Sequence, residues 1–279
     1  MTSRIAAVIG QPVEHSLSPA IHNAAFAASG RVGEYVAIEC GEREVSTLMK
    51  SIRAEGLVGL SVTMPLKEAV IDTLDSLHVT ASLLNAVNCI SFTDGRAVGY
   101  NTDGDGCCDA LTEQGGAVIE GSTAVVLGAG GTARSVALAL GRRGARVVVV
   151  NRSVERAEHL VNSLGHVLAD SSGSLEVGTV ESLSNARILV NATSVGMNSK
   201  ASPIDPSQLH RNLTILDAVY SPMETALLSA GRAAKATVVD GLWMLIQQAR
   251  HQQVLWFGEN PDATAMRIAA EQELERRRK

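Results

Sequence analysis

Short apolar runs alternate along this chain with longer segments in which apolar residues recur every three or four positions. Arg4–Ile9 reads as a buried strand closed by Gly10, and Ala20–Ser29 as a helix stopped by Gly30. Tyr35–Cys40 is a second strand. Glu42–Glu55 carries Val45, Leu48, Met49 and Ile52 at helical spacing and stops at Gly56, and Leu57–Val62 is a third strand. A helix over Lys67–Leu74 follows. This alternation predicts βαβ units and a mostly parallel sheet. Asn85–Phe92 and Ala97–Tyr100 are strands joined by Thr93-Asp94-Gly95-Arg96, whose Asp-Gly pair signals a hairpin. Asp109–Gln114 lies in a helix ended by Gly115-Gly116.

The pattern then starts again. Strand Ala124–Leu127 leads to helix Thr132–Leu140, strand Arg146–Val150 and helix Val154–Leu164. Gly165–Ser184 is polar and reads as a strand with a short helix. Ala186–Asn191 is a strand, and Asn198–His210, with two prolines, reads as loop. Strand Leu213–Val219, helix Glu224–Ser229 and strand Thr237–Val239 come next. A long helix, Leu242–Phe257, and a charged one, Ala263–Lys279, end the chain. The two α/β blocks carry different motifs, with no internal repeat and no low-complexity linker.

Composition narrows the class. With 279 residues the chain suffices for one large domain or two of ordinary size. Apolar residues are 46%, charged residues 19% and aromatics only 3%, so the core must be mainly Val, Leu, Ile and Ala. Net charge is −5, and the single basic tract is the terminal Arg276-Arg277-Arg278-Lys279. That run reads as a solvated helix end suited to the macrodipole, so no nucleic-acid partner is expected. Cys40, Cys89, Cys107 and Cys108 show no C-x-x-C spacing and are expected as reduced thiols. No signal peptide and no apolar run of about 18 residues is visible. A cytoplasmic protein without a membrane partner is expected, as monomer or homodimer.

Candidate chemistry concentrates where predicted strands end. Thr123–Arg134, TAVVLGAGGTAR, has the strand–glycine turn–helix order of a dinucleotide pyrophosphate site. Gly128, Gly130 and Ala133 form Gly-x-Gly-x-x-Ala. The first glycine makes the turn, the second lets backbone approach phosphate, and the small third residue lets helix pack on strand. After the next strand, an acidic residue would bind the ribose 2′-hydroxyl of NAD. Asn151-Arg152-Ser153, with Arg156 one turn on, offers guanidinium forks and neutral donors suited to a 2′-phosphate, which argues for NADP.

Earlier in the chain, Lys67 follows the third strand and Thr63-Met64-Pro65, at a helix start where the dipole disfavours a lysine. Ser18-Pro19 reads as N-cap and first helical residue. With Ser16, it makes a helix N-terminus able to hold a carboxylate. Asn101–Gly106 lacks the bidentate Glu of a calcium loop and reads instead as a linker carrying Asp103, so no metal is expected.

Read together, these segments resemble the shikimate dehydrogenase family over nearly the whole chain. The resemblance rests on Gly10-x-Pro12-x-x-His15-Ser16-x-Ser18-Pro19-x-x-His22-Asn23, Val62-Thr63-x-Pro65-x-Lys67, Ala86-Val87-Asn88 and Asn101-Thr102-Asp103. It continues through Gly128-Ala129-Gly130-Gly131, Asn151-Arg152-Ser153, Asn191-Ala-Thr-Ser-x-Gly-Met197, Tyr220-x-Pro222 and Gly241-x-x-Met244-Leu-x-x-Gln248.

The resemblance implies NADPH-dependent reduction of 3-dehydroshikimate to shikimate by two α/β domains. One is an open, mostly parallel substrate domain of residues 1–102 with 241–279. The other is a Rossmann-type doubly wound NADP domain of residues 103–240. It implies that Ser16 and Ser18 hold the substrate carboxylate, that Thr63, Asn88, Asp103 and Gln248 bind ring hydroxyls, and that Lys67 and Asp103 act at the reacting carbon. Tyr220 joins the substrate side. Gly128, Ala129, Gly130, Gly131, Asn151, Arg152, Ser153, Arg156, Thr193 and Gly241 join the cofactor side.

The family usually carries Asn before Val-Thr-x-Pro, and here that substrate-side position is Ser61. A hydroxyl reaches less far and makes fewer bonds than an amide. That leaves quinate or an aminoshikimate precursor as alternative substrates. A shikimate-binding sensor without turnover is the alternative outside the enzyme class. The histidines, His15 and His22 included, read as structural or helix-capping.

Overall fold

The structure, a computed structural model, describes residues 4–169 and 171–278. The chain separates into two compact units. One holds the residues up to Thr102 together with those from Gln248 onward, and the other is Asp103–Gln247.

The first unit is built on strands β1 (Arg4–Gly10), β2 (Glu34–Glu39), β3 (Gly59–Val62), β4 (Ser76–Leu77), β5 (Cys89–Thr93) and β6 (Arg96–Tyr100). Their order is β2-β1-β3-β5-β6-β4. β1 runs parallel to β2 and β3, while the β5–β6 hairpin lies antiparallel to β3. Helices α1 (Ser18–Ala28), α2 (Val45–Glu55), α3 (Leu66–Ala69) and α4 (Val79–Leu84) connect them. β1 shows why its run is apolar without a break. Ala7 and Ile9 pack with Val45, Met49 and Ile52 of α2, whereas Ala6 and Val8 pack with Val13, Phe26 and Tyr35. Successive side chains face opposite sides, and both sides are covered.

The second unit carries β7 (Thr123–Leu127), β8 (Arg146–Val150), β9 (Ser174–Val177), β10 (Ile188–Asn191), β11 (Thr214–Asp217) and β12 (Thr237–Val239). All are paired in parallel, in the order β12-β11-β10-β7-β8-β9. Helices α5 (Asp103–Asp109), α6 (Gly131–Arg142), α7 (Val154–Leu164) and α8 (Ala226–Ala233) belong to it. This is the doubly wound order of a Rossmann sheet, with its winding reversed between β7 and β10. The long helix α9 (Gly241–Phe257) and then α10 (Ala263–Arg278) complete the chain. The division between the units falls inside α9, at Gln247/Gln248, later than the Gly241 expected from the sequence.

Several elements depart from the pattern-based reading. Ser18 is the first residue of α1 rather than its N-cap. Leu17 precedes it in near-helical conformation, and the Ser16 hydroxyl accepts from the Ser18 N–H at 3.2 Å. The helix over Lys67–Leu74 stops after α3, and Ile71–Thr73 is a 3-10 turn. The Thr73 hydroxyl donates to the Val70 carbonyl at 2.6 Å, competing with helix continuation.

The strand expected from Asn85 begins only at Cys89. Asn85 instead closes α4 in the left-handed region at φ 49°, which asparagine tolerates. The linker expected over Asn101–Gly106 is helical from Asp103. A Cβ on Gly104 would lie 2.3 Å from the Ser135 carbonyl oxygen, so this glycine serves close α5–α6 packing rather than a turn. Asp109–Gln114 continues α5 through a π-helical turn over Ala110–Gln114. The helix expected over Glu224–Ser229 is α8, whose first turn the Thr225 hydroxyl caps by accepting from Leu228 N–H.

The C-terminal basic run is not only a solvated end. Arg277 pairs with Glu273 at 2.7 Å and donates to the backbone carbonyls of His15 and Ser16. Lys279 lies outside the described residues.

Candidate functional site

In open α/β sheets, ligands bind outside the carboxyl ends of the strands. In the first unit those ends carry the residues singled out from sequence. The segment after β1 brings Ser16, and α1 begins at Ser18. Thr63 follows β3 directly, its N–H donating to Ile9 O at 3.0 Å. Lys67 is the second residue of α3, half-buried, and its carbonyl accepts from Val87 N–H at 2.8 Å. That bond ties the lysine's turn to the Ala86–Asn88 segment.

Asn88 is the hub of this face and is only 2% exposed. Its side-chain amide donates to Gln248 Oε1 at 3.1 Å and to Thr102 Oγ1 at 3.0 Å. Its Oδ1 accepts from Thr102 N–H at 2.8 Å. Burial of so polar a group is tolerable because each atom has a partner. Gln248 on α9 is thus joined to Asn88 within one bonded cluster. Asp103 comes directly after Thr102 in sequence. It opens α5 in the second unit and is 5% exposed.

Ser61, on β3, is buried, and its hydroxyl is engaged on two sides. It accepts from the Tyr35 hydroxyl at 2.6 Å and donates to Gln252 Oε1 at 2.5 Å. The His22 ring stacks on Tyr35 with centroids 4.3 Å apart and planes 9° from parallel. His22 is fully buried, and desolvation pushes its pKa down to about 3, so the ring is neutral. Tyr35 and Gln252 were not singled out from the sequence. The available signal was the pair of glutamine doublets, 247–248 and 252–253, in an otherwise apolar helix. Gln247, Gln252 and Gln253 are all buried, and buried amides require partners.

In the second unit the glycine turn sits at the point where the winding reverses. Gly128 follows β7 at φ 111°, and a Cβ there would lie 3.1 Å from both the Ala192 carbonyl oxygen and Thr193 Cγ2, after β10. Gly128 is therefore fixed both by conformation and by contact. Gly130 caps α6 without a side-chain cap bond, and α6 has no acid in its first turn. A Cβ on Gly130 or Gly131 would meet no protein atom within 4 Å. The protein's own packing does not explain these two glycines. Open backbone at a helix N-terminus suits a phosphate. The residues present fit a dinucleotide, and Gly128–Gly131 would hold its pyrophosphate.

After β8, Arg152 and Arg156 are exposed, and no carboxylate stands at the strand end. Asn151 turns inward, donating to Ser153 O at 2.9 Å. Ser153 is occupied as the cap of α7, accepting from Arg156 N–H and donating to Glu155 at 2.7 Å. The Thr193 hydroxyl donates to Asn191 Oδ1 at 2.7 Å and accepts from Val195 N–H, which shapes the loop after β10. Gly241 has a packing reason of its own, since a Cβ there would lie 2.5 Å from Ala218 O. Tyr220 is half-buried in the segment after β11.

A family model described as the shikimate dehydrogenase substrate binding domain matches residues 8–90, and one described as shikimate / quinate 5-dehydrogenase matches residues 110–200. The shikimate dehydrogenase (NADP(+)) of Symbiobacterium thermophilum is 42% identical over 275 residues, covering 96% of this chain and 93% of its own length. Among solved structures, a shikimate dehydrogenase in complex with NADP+ matches with TM-score 0.91 and 35% identity, over 97% of this chain and 96% of its own. The Thermus thermophilus shikimate 5-dehydrogenase in complex with NADP(H) and shikimate matches with TM-score 0.88 and 37% identity, over 96% of this chain and 98% of its own.

Proposed function

We infer that this chain, which belongs to the shikimate dehydrogenase family, reduces the ketone of 3-dehydroshikimate to the alcohol of shikimate with NADPH, reversibly. It is an NADP-dependent oxidoreductase acting on a CH–OH group. The observation that carries the reading is the open backbone over Gly130 and Gly131 at the winding reversal, on a chain matching a shikimate- and NADP(H)-bound relative almost end to end.

The cofactor, when bound, supplies the hydride. The chain's residues do the rest. Gly128–Gly131 hold the pyrophosphate on the α6 N-terminus, and Arg152 and Arg156 pair with the 2′-phosphate. Ser16 and Ser18 hold the substrate carboxylate, and Thr63, Asn88 and Gln248 bind ring hydroxyls. As the carbonyl oxygen gains negative charge, the Lys67 ammonium stabilises it and donates a proton. Asp103 accepts a hydrogen bond from a neighbouring ring hydroxyl and fixes the ring. In the oxidative direction, Lys67 takes the hydroxyl proton.

The test is consumption of 3-dehydroshikimate and NADPH in equal amounts, with shikimate identified as the product. Failure to form shikimate contradicts the reading. Quinate is the second substrate to compare, because Ser61 replaces the family's usual Asn and a matching family model covers both activities. Faster oxidation of quinate than of shikimate would favour that reading.

A further inference from the structure

Ser61 stands at a substrate-side position, yet its single hydroxyl proton is given to Gln252 Oε1, and its oxygen accepts from Tyr35. The bonds do not stop there. Gln252 Nε2 donates to the Asn88 carbonyl at 3.4 Å. A continuous chain therefore runs Tyr35–Ser61–Gln252–Asn88. Its last member is the residue assigned above to a ring hydroxyl. All four members are buried.

We propose that Tyr35, Ser61 and Gln252 are positioning residues that hold Asn88 in register for the substrate, and that Ser61 is not itself a substrate ligand. This rests on the functional reading above. Donor and acceptor counts support it. The phenol has one proton, which goes to Ser61. Ser61 has one proton, which goes to Gln252. Neither hydroxyl proton on this path is left over for a substrate hydroxyl.

The ring carrying the phenol cannot drift. It is stacked on His22, Trp256 lies 6.2 Å from it, and Gln253 fixes His22 with a 3.0 Å bond to Nδ1. Burial raises the Tyr35 phenol well above its usual range, so it remains a donor at every working pH. Linked polar groups in a low-dielectric interior polarise one another, so the effect of cutting one link reaches Asn88.

The experiment is steady-state shikimate oxidation by the full chain carrying Tyr35→Phe, Ser61→Ala, Gln252→Met, and the Tyr35→Phe/Ser61→Ala pair. Each single change raises the KM for shikimate about 5-fold, the size of one net hydrogen bond. The KM for NADP+ and kcat stay within about twofold, and the pair is no worse than the poorer single variant. A general loosening of the fold would instead raise both KM values or lower kcat.

An unchanged shikimate KM in Tyr35→Phe overturns the proposal, as does an equal rise for both substrates. If Tyr35→Phe does not fold, Gln252→Met cuts the same chain on the other side and is judged by the same criteria. A wild-type protein that does not turn over shikimate overturns the functional reading and this inference with it. An active wild type with insensitive variants overturns the inference alone.

Discussion

Lys67 is the residue on which the proposed chemistry turns. Its turn of α3 is tied through the backbone, its carbonyl accepting from Val87 N–H. Lys67→Ala is therefore expected to fold and to bind shikimate with a KM within a few-fold of wild type. Its kcat should fall about 10²–10⁴-fold, the usual worth of positioned acid–base help. A near-native kcat would remove Lys67 from the mechanism.

His22 gives a stability test at the same scale. Its pKa is about 3 when folded and near the ordinary 6.5 when unfolded. A base with a depressed folded value is protonated first in the unfolded chain. Stability is therefore full above pH 6.5 and falls as the pH drops from 6.5 toward 3, by up to about 1.4 kcal/mol per pH unit. Denaturant titrations between pH 7 and pH 4 should show a shallower loss for His22→Phe than for wild type. Equal slopes would mean that His22 already titrates normally in the fold.

Single candidate residues are legible where a motif surrounds them, as with Lys67, Asn88 and Gly128. Tyr35, Gln252 and the burial of Ser61 are not, because their meaning lies in partners 26 and 191 residues away from Ser61 in sequence.

Elements whose hydrophobic period is complete were readable from the chain. The unbroken RVVVV of β8 and the helical spacing of α2 are examples. Elements decided by a neighbour were not. α5 begins at Asp103 because Gly104 lets it press against the Ser135 carbonyl, yet the local string reads as a turn. α3 ends early because a threonine hydroxyl takes a carbonyl that its helix would use.

Under the proposed function, the turn between β8 and α7 sets cofactor choice. Charge-assisted bonds from arginine to phosphate are each worth about 1.5–3 kcal/mol. Replacing both Arg152 and Arg156 by Gln should raise the KM for NADP+ at least about 10-fold while leaving that for NAD+ nearly unchanged. Equal effects on both cofactors would show that neither arginine reads the 2′-phosphate.

α10 reaches the other site. Through Arg277 it holds the carbonyls of His15 and Ser16, beside the serines assigned to the carboxylate. Arg277→Ala should raise the KM for shikimate a few-fold with little change in thermal midpoint, since an exposed ion pair contributes little to stability. An unchanged KM would show that the serine segment holds itself.

At the scale of the whole molecule, two sheets with different pairings carry the two sets of residues proposed for cofactor and substrate. The all-parallel sheet reverses its winding at the glycine turn, and the mixed sheet gathers its polar residues at its carboxyl ends around Asn88. The order of strands and helices was visible in the sequence because each block repeats the βα alternation. The crossing point inside α9 was not, because an uninterrupted helix carries no local mark of where its packing partners change.

The central claim is that this chain oxidises shikimate with NADP+. Its most direct test is kcat/KM for shikimate with saturating NADP+. The account predicts a value in the ordinary enzymatic range, about 10⁴ M⁻¹s⁻¹ or more, exceeding the value for quinate and falling sharply when NAD+ replaces NADP+. No turnover of shikimate, or a higher value for quinate, would contradict it.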